Sequence, residues 1–223
     1  MSAEGRQTAD PRPASTPAIL FAEQPSILVL IDGEPVYRPI AHTNLQRIVN
    51  TRPFIVRDEA GLYYMKVFDG WMEAYDLTGI WSVSGVAPSG VEPAFERAVA
   101  EGSVDLLSGA DSRHPRARPS LDLDASPAIF VSCEPAELVI TDGPPRFVAI
   151  EGSALEYVEN TTANVFKEPT DDEIYVLIAG QWFRAWTTDG PWEFVPGGEL
   201  PKDFSTIPDS SPKANVKASI PRS

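Results

Sequence analysis

Apolar residues along this chain come in short runs, each stopped by turn-forming residues. That rhythm belongs to strands rather than helices. Ile27-Leu28-Val29-Leu30-Ile31 stops at Asp32-Gly33, a hairpin-turn signal, and Glu137-Leu138-Val139-Ile140-Thr141 stops at Asp142-Gly143 in the same way. Val36–Ile40, Leu45–Val49, Arg146–Ile150 and Leu155–Val158 read as further strands, as do Leu62–Val67 and Ile174–Ile178. The last two lead through Gly70 and Gly180 into tryptophan-bearing strands, Trp71–Tyr75 and Trp182–Trp186. Turns at Thr78-Gly79 and Asp189-Gly190 precede a final short strand carrying Trp81 or Trp192. One helix is predicted over Pro93–Ala100, where proline suits a first turn, with a shorter counterpart at Leu200–Phe204. The expectation is a mainly β protein made of small antiparallel sheets, barrels or sandwiches.

The strand series occurs twice. Asp32-Gly33 returns as Asp142-Gly143, 110 residues later, and the same offset pairs Pro17-Ala18-Ile19 with Pro127-Ala128-Ile129 and Asn50-Thr51 with Asn160-Thr161. One inserted residue then shifts the offset to 111, pairing Tyr64 with Tyr175, Trp71 with Trp182, and Trp81 with Trp192. Matches in one order with one gap predict two homologous domains in tandem. The expected boundaries are a disordered segment over 1–16, repeat one over 17–107, a linker over 108–126, repeat two over 127–207 and a polar tail over 208–223. The linker is polar, proline-broken and aperiodic, which is what marks it as a linker.

Composition narrows the function. The 223 residues carry 18 Lys and Arg against 32 Asp and Glu, a net charge of −14. That disfavours sequence-independent nucleic-acid binding and anionic membrane surfaces, both of which need basic residues. No apolar run is long enough to span a bilayer, so no membrane insertion is expected. No export signal is visible, which makes the cytoplasm the default compartment, with the periplasm open to a processed chain. The single cysteine, Cys133, excludes an internal disulfide and multi-cysteine metal sites.

Catalytic chemistry finds little to stand on. His42 and His114 are the two histidines, one in a polar turn and one in the linker, without a nucleophile or metal ligand in local register. Cys133 lies in an apolar strand and reads as an inert buried thiol. Asp171-Asp172-Glu173 is an acidic turn that lacks the alternating ligands of a calcium loop. No phosphate loop or dinucleotide fingerprint occurs, and neither a cofactor nor a metal is expected. The reading is therefore a non-catalytic binding protein.

The most distinctive stretch is Gly180-Gln181-Trp182-Phe183-Arg184-Ala185-Trp186-Thr187, followed by Gly190-Pro191-Trp192-Glu193. With Pro135-Ala136, Thr141–Pro145, Tyr157-Val158 and Asn160-Thr161, it resembles bacterial proteins labelled carbohydrate-binding family V/XII. Those proteins share a tryptophan motif with small chitin- and cellulose-binding modules. The resemblance covers about residues 127–221 well and 17–107 more weakly. It implies polysaccharide binding by exposed rings, with Trp182, Trp186, Trp192 and Tyr175 as the ligand-binding candidates. Period-two alternation puts Trp182 and Trp186 on one face of their strand. The opposing reading makes the same rings core, since Trp and Tyr supply much of the buried area in a small β domain. Repeat one has Tyr75 at the position of Trp186 and Gly79-Ile80-Trp81 for Gly190-Pro191-Trp192. Positions kept in both copies suit a shared core; positions that change are better candidates for exposed contacts. The alternative function is an accessory or scaffold subunit of a larger assembly, docking through sheet edges or the proline-rich tails.

Overall fold

A computed structural model describes residues 15–108, 119–123 and 126–220. The chain is mainly β, with one α-helix and three short 3-10 helices among these residues. Most of the expected N-terminal disordered segment, most of the linker and His114 lie outside the described residues.

Among the described residues sixteen strands follow one another. The first eight are β1 (Ala18–Ala22), β2 (Ser26–Leu30), β3 (Tyr37–Pro39), β4 (Gln46–Ile48), β5 (Ile55–Arg57), β6 (Tyr63–Val67), β7 (Gly70–Ala74) and β8 (Ser82–Val83). Helix α1 (Val91–Ala100) comes next. The second series is β9 (Ala128–Ser132), β10 (Ala136–Ile140), β11 (Phe147–Ala149), β12 (Glu156–Val158), β13 (Asn164–Glu168), β14 (Glu173–Ile178), β15 (Gln181–Ala185) and β16 (Glu193–Val195). Strands β3 to β8 form one six-stranded antiparallel meander and β11 to β16 form another. The register matches in both. Arg47 faces Val56 where Tyr157 faces Phe166, and Val56 faces Tyr64 where Phe166 faces Tyr175. The change of offset from 110 to 111 therefore sits in the β5–β6 and β13–β14 turns. Strands β1, β5 and β13 are absent from the strands expected from the apolar pattern.

The two compact units do not coincide with the two sequence repeats. One unit comprises residues 1–24 with 137–223; the other comprises 25–136. Strand β1, from repeat one, pairs with β10, and β9, from repeat two, pairs in parallel with β2. The expected boundary between domains is thus replaced by a reciprocal exchange of first strands. The Asp-Gly turns are also not hairpin turns, because β2 pairs with β9 and β3 pairs with β4. They are corners, with Gly33 and Gly143 both at φ 75°, and a side chain holds each one. Asn50 donates to the carbonyls of Asp32 and Glu34 and accepts from the Val36 amide, each at 2.8 Å. Asn160 does the same with Asp142, Pro144 and Arg146. Thr51 and Thr161 donate to the carbonyls of Leu30 and Ile140. The repeated Asn-Thr pair is therefore a corner clamp that stands in for a ladder partner.

Each meander buries both faces. In the 25–136 unit, Val29, Ile31 and Ile129 of the two-stranded layer pack on Ile48, Ile55, Met65 and Met72. The other face packs Leu45, Phe54, Val56 and Trp71 beneath Val91 and Ala98 of α1. In the second unit Ile19 and Val139 cover Val165, Val176 and Phe183. Its opposite face has no α-helix. It is covered by the residues after β16, through Phe204, Ile207 and Val216. The expected polar tail is therefore part of the core. Val216 is buried, Lys213 donates to the carbonyls of Ala163 (2.6 Å) and Thr161 (3.3 Å), and the Ser219 carbonyl accepts the Trp182 indole N–H. Part of the expected linker is likewise docked. Asp69 accepts hydrogen bonds from the Ser120 hydroxyl and the Leu121 amide, both 2.7 Å. Leu121 packs over Gly70, where no side chain stands in its way.

Candidate functional site

The four residues proposed as a sugar platform separate sharply. Trp182 is 1% exposed and packs edge-on against Phe204 at 4.9 Å. Tyr175 is 2% exposed, packs on Phe204 at 5.2 Å and donates its hydroxyl to Glu173 at 2.8 Å. Burial and that bond push the Tyr175 phenol well above its ordinary pKa. Arg184 lies within ion-pair reach of Glu173 and Glu193. Trp192 is half-buried and lies flat against Phe21, with centroids 5.8 Å apart and planes 7° apart. Its indole N–H is buried without a partner among the described residues. Trp186 alone stands out, 65% exposed.

Alternation along β15 does not separate a buried face from an exposed one. Both faces of β15 are covered, so Trp182 and Phe183 are buried alike. The strand ends at Ala185, and Trp186 begins the turn beyond the covering layers. Repeat one does the same thing. Strand β7 ends at buried Ala74, and Tyr75 follows at 90% exposure. Across the turn, Ile80 is 93% exposed. Its counterpart in the second unit is Pro191, also exposed. Each unit thus carries an aromatic and an apolar residue at the tip of one hairpin, at equivalent positions.

The two tips are built differently but pinned alike. Asp76 accepts from the amide and hydroxyl of Thr78 at 2.9 and 3.0 Å, and its carbonyl accepts from the Gly79 amide. In the second unit, Thr187 accepts from the Gly190 amide at 3.1 Å through its carbonyl, and its hydroxyl donates back to the Gly190 carbonyl at 3.3 Å. Gly190 sits at φ 82°, where L side chains are strained. Below each tip the shared tryptophan is structural. Trp81 donates to the Leu77 carbonyl, and Trp71 donates to Glu92, which also takes Lys66. Tyr75 and Ile80 were missed as candidates in the sequence. The signal available was their alignment with Trp186 and Pro191.

The chemistry-bearing residues outside the tips serve structure. Among the described residues, no three His, Cys, Asp or Glu side chains are placed to hold a metal ion. His42 is an exposed turn residue at φ 63° beside an open groove that also holds Asp58 and Glu59. Cys133 is half-buried, and burial followed by the charges of Glu34 and Glu134 raises its thiol pKa. A thiol held protonated is a poor nucleophile. The acidic turn after β13 is less solvated than its composition suggests. Glu168 is buried and accepts from the Thr170 and Asp171 amides at 3.0 and 3.1 Å. Burial works against its charge, but these bonds prevail and hold it below the ordinary carboxylate range. Lys167 pairs with Asp172 at 2.6 Å.

No helix among the described residues is long and apolar enough to cross a membrane. The chain matches no family model, no curated protein and no solved structure.

Proposed function

We propose that the protein is a non-catalytic binding protein, an accessory or scaffold subunit that docks to a protein partner through the tips bearing Tyr75 and Trp186. The observation that carries this reading is the exposure of a large aromatic at the equivalent turn of both units, beside Ile80 or Pro191. A ring held in water with an apolar neighbour, on a turn pinned by its own hydrogen bonds, has the character of an interface anchor. Tyr and Trp dominate such anchors because they contribute large contact area at low entropic cost. The edges of the six-stranded sheets are weaker contacts. Strands β3, β8, β11 and β16 have three, two, three and three residues, too short to template an added strand.

Carbohydrate binding is the second reading. It is favoured by the resemblance in the tryptophan motif and by the Thr187, Thr188 and Asp189 side chains next to Trp186, which suit hydroxyl groups. It is weakened by the loss of Trp182, Tyr175 and Trp192 from any flat platform. Intrinsic fluorescence separates the two. Titration with chito- and cello-oligosaccharides is expected to leave the parent emission unchanged, while immobilised protein retains a stoichiometric partner from native extract. A saturable shift abolished by Trp186→Ala establishes the carbohydrate reading instead.

A further inference from the structure

The exchange of first strands has a consequence for assembly. The connections at the crossings are three residues long: Glu23-Gln24-Pro25 between β1 and β2, and Cys133-Glu134-Pro135 between β9 and β10. Each ends in proline, which fixes its own φ and holds the preceding residue extended. The chain therefore runs on into the other unit instead of folding back as a hairpin. Once there, β1 contributes Ile19 to the core and Phe21 to the stack on Trp192, while the Ala22 carbonyl accepts the Thr141 amide at 2.9 Å. In the other unit, β9 matches β2 over five residues, Ser26 to Ala128 through Leu30 to Ser132.

None of these contacts depends on which copy of the chain supplies the strand. We infer that the protein pairs with a second copy of itself by exchanging these strands, each copy completing units of the other. The bonds and buried residues are the same in the closed monomer and the exchanged dimer. The difference lies in the covalent connection, which is the condition for domain swapping. At low concentration the strand within the same chain wins, because covalent linkage makes its pairing intramolecular, at an effective concentration of about millimolar order. At high concentration during folding a second chain competes. Exchange between folded copies is slow, because Ile19 and Val29 must leave buried positions. The inference is independent of the tip-binding reading, although an exchanged dimer would present four tips.

The test uses the full chain. Isotopically light and heavy protein are unfolded together and refolded at increasing concentration, then examined by native mass spectrometry. The expected result is a mixed-mass dimer whose share grows with refolding concentration, and none when the two forms are mixed already folded. Monomer alone at every refolding concentration overturns the inference. So does a mixed dimer that forms at once from folded protein, since that is surface association. A pair of cysteines at the facing positions Leu30→Cys and Ser132→Cys, in a Cys133→Ser background, locates the contact. Disulfides between chains in the dimer and within the chain in the monomer are expected; disulfides only within chains in the dimer contradict the exchange.

Discussion

Trp182 and Trp186 lie four residues apart and have opposite fates. The first fills the core between Phe166 and Phe204; the second stands in water. Trp182→Ala is expected to cost about 3–5 kcal/mol of stability, the range for removing a large aromatic from a core. Trp186→Ala is expected to change it by no more than about 0.5 kcal/mol, as for an ordinary surface position. Urea denaturation measures both. Tyr37 offers a pH test. Its hydroxyl lies 2.9 Å from that of Tyr63, and its ring lies beneath Arg57. Burial, then the bond to Tyr63, pushes its pKa up to about 12. A raised folded value means that its contribution is fully present below the unfolded value near 10. The contribution is lost as pH rises through about 12. Absorbance titration should show this late step, and Tyr37→Phe should remove it and flatten the alkaline loss of stability.

Elements show where local pattern stops being informative. Strands β2, β4, β6, β7, β10, β12, β14 and β15 are legible because apolar runs bounded by Gly, Asp or Pro leave little choice of conformation. The partner of β2 is not legible, because Ile27–Ile31 looks the same whether it pairs with a neighbour in sequence or with β9. The corner clamp was equally hidden. Asn50-Thr51 and Asn160-Thr161 were visible as a repeated pair, but nothing local says that their side chains replace a ladder. The C-terminal segment misled for another reason. It is polar and broken by prolines, yet one valine and one lysine at the right places dock it, as 3-10 turns rather than a periodic helix. Truncation after Ile207 is accordingly expected to lower the melting temperature and to shift Trp182 emission to the red as the indole becomes solvated. An unchanged spectrum and melting temperature would show the segment to be dispensable.

At the scale of the whole molecule, the repeat sets the number of units, and the exchange makes each unit depend on both halves of the chain. Cutting the chain at a protease site placed at Ser112 is expected to leave the two fragments eluting together, separating only in denaturant. Separate elution under native conditions would contradict the exchange. The net charge of −14 fits none of the sites described and bears on which partners are disfavoured. The two tips are the surface most readily matched to a partner. Linking two such sites in one chain multiplies affinity by about 10²–10⁴ when both engage. The most direct test is capture from native extract with the parent, Tyr75→Ala, Trp186→Ala and the double variant, each checked for an unchanged melting temperature. Docking through the tips is expected to give a stoichiometric partner held by the parent, released far faster from either single variant and absent from the double variant. A double variant that holds the partner as firmly as the parent would contradict it.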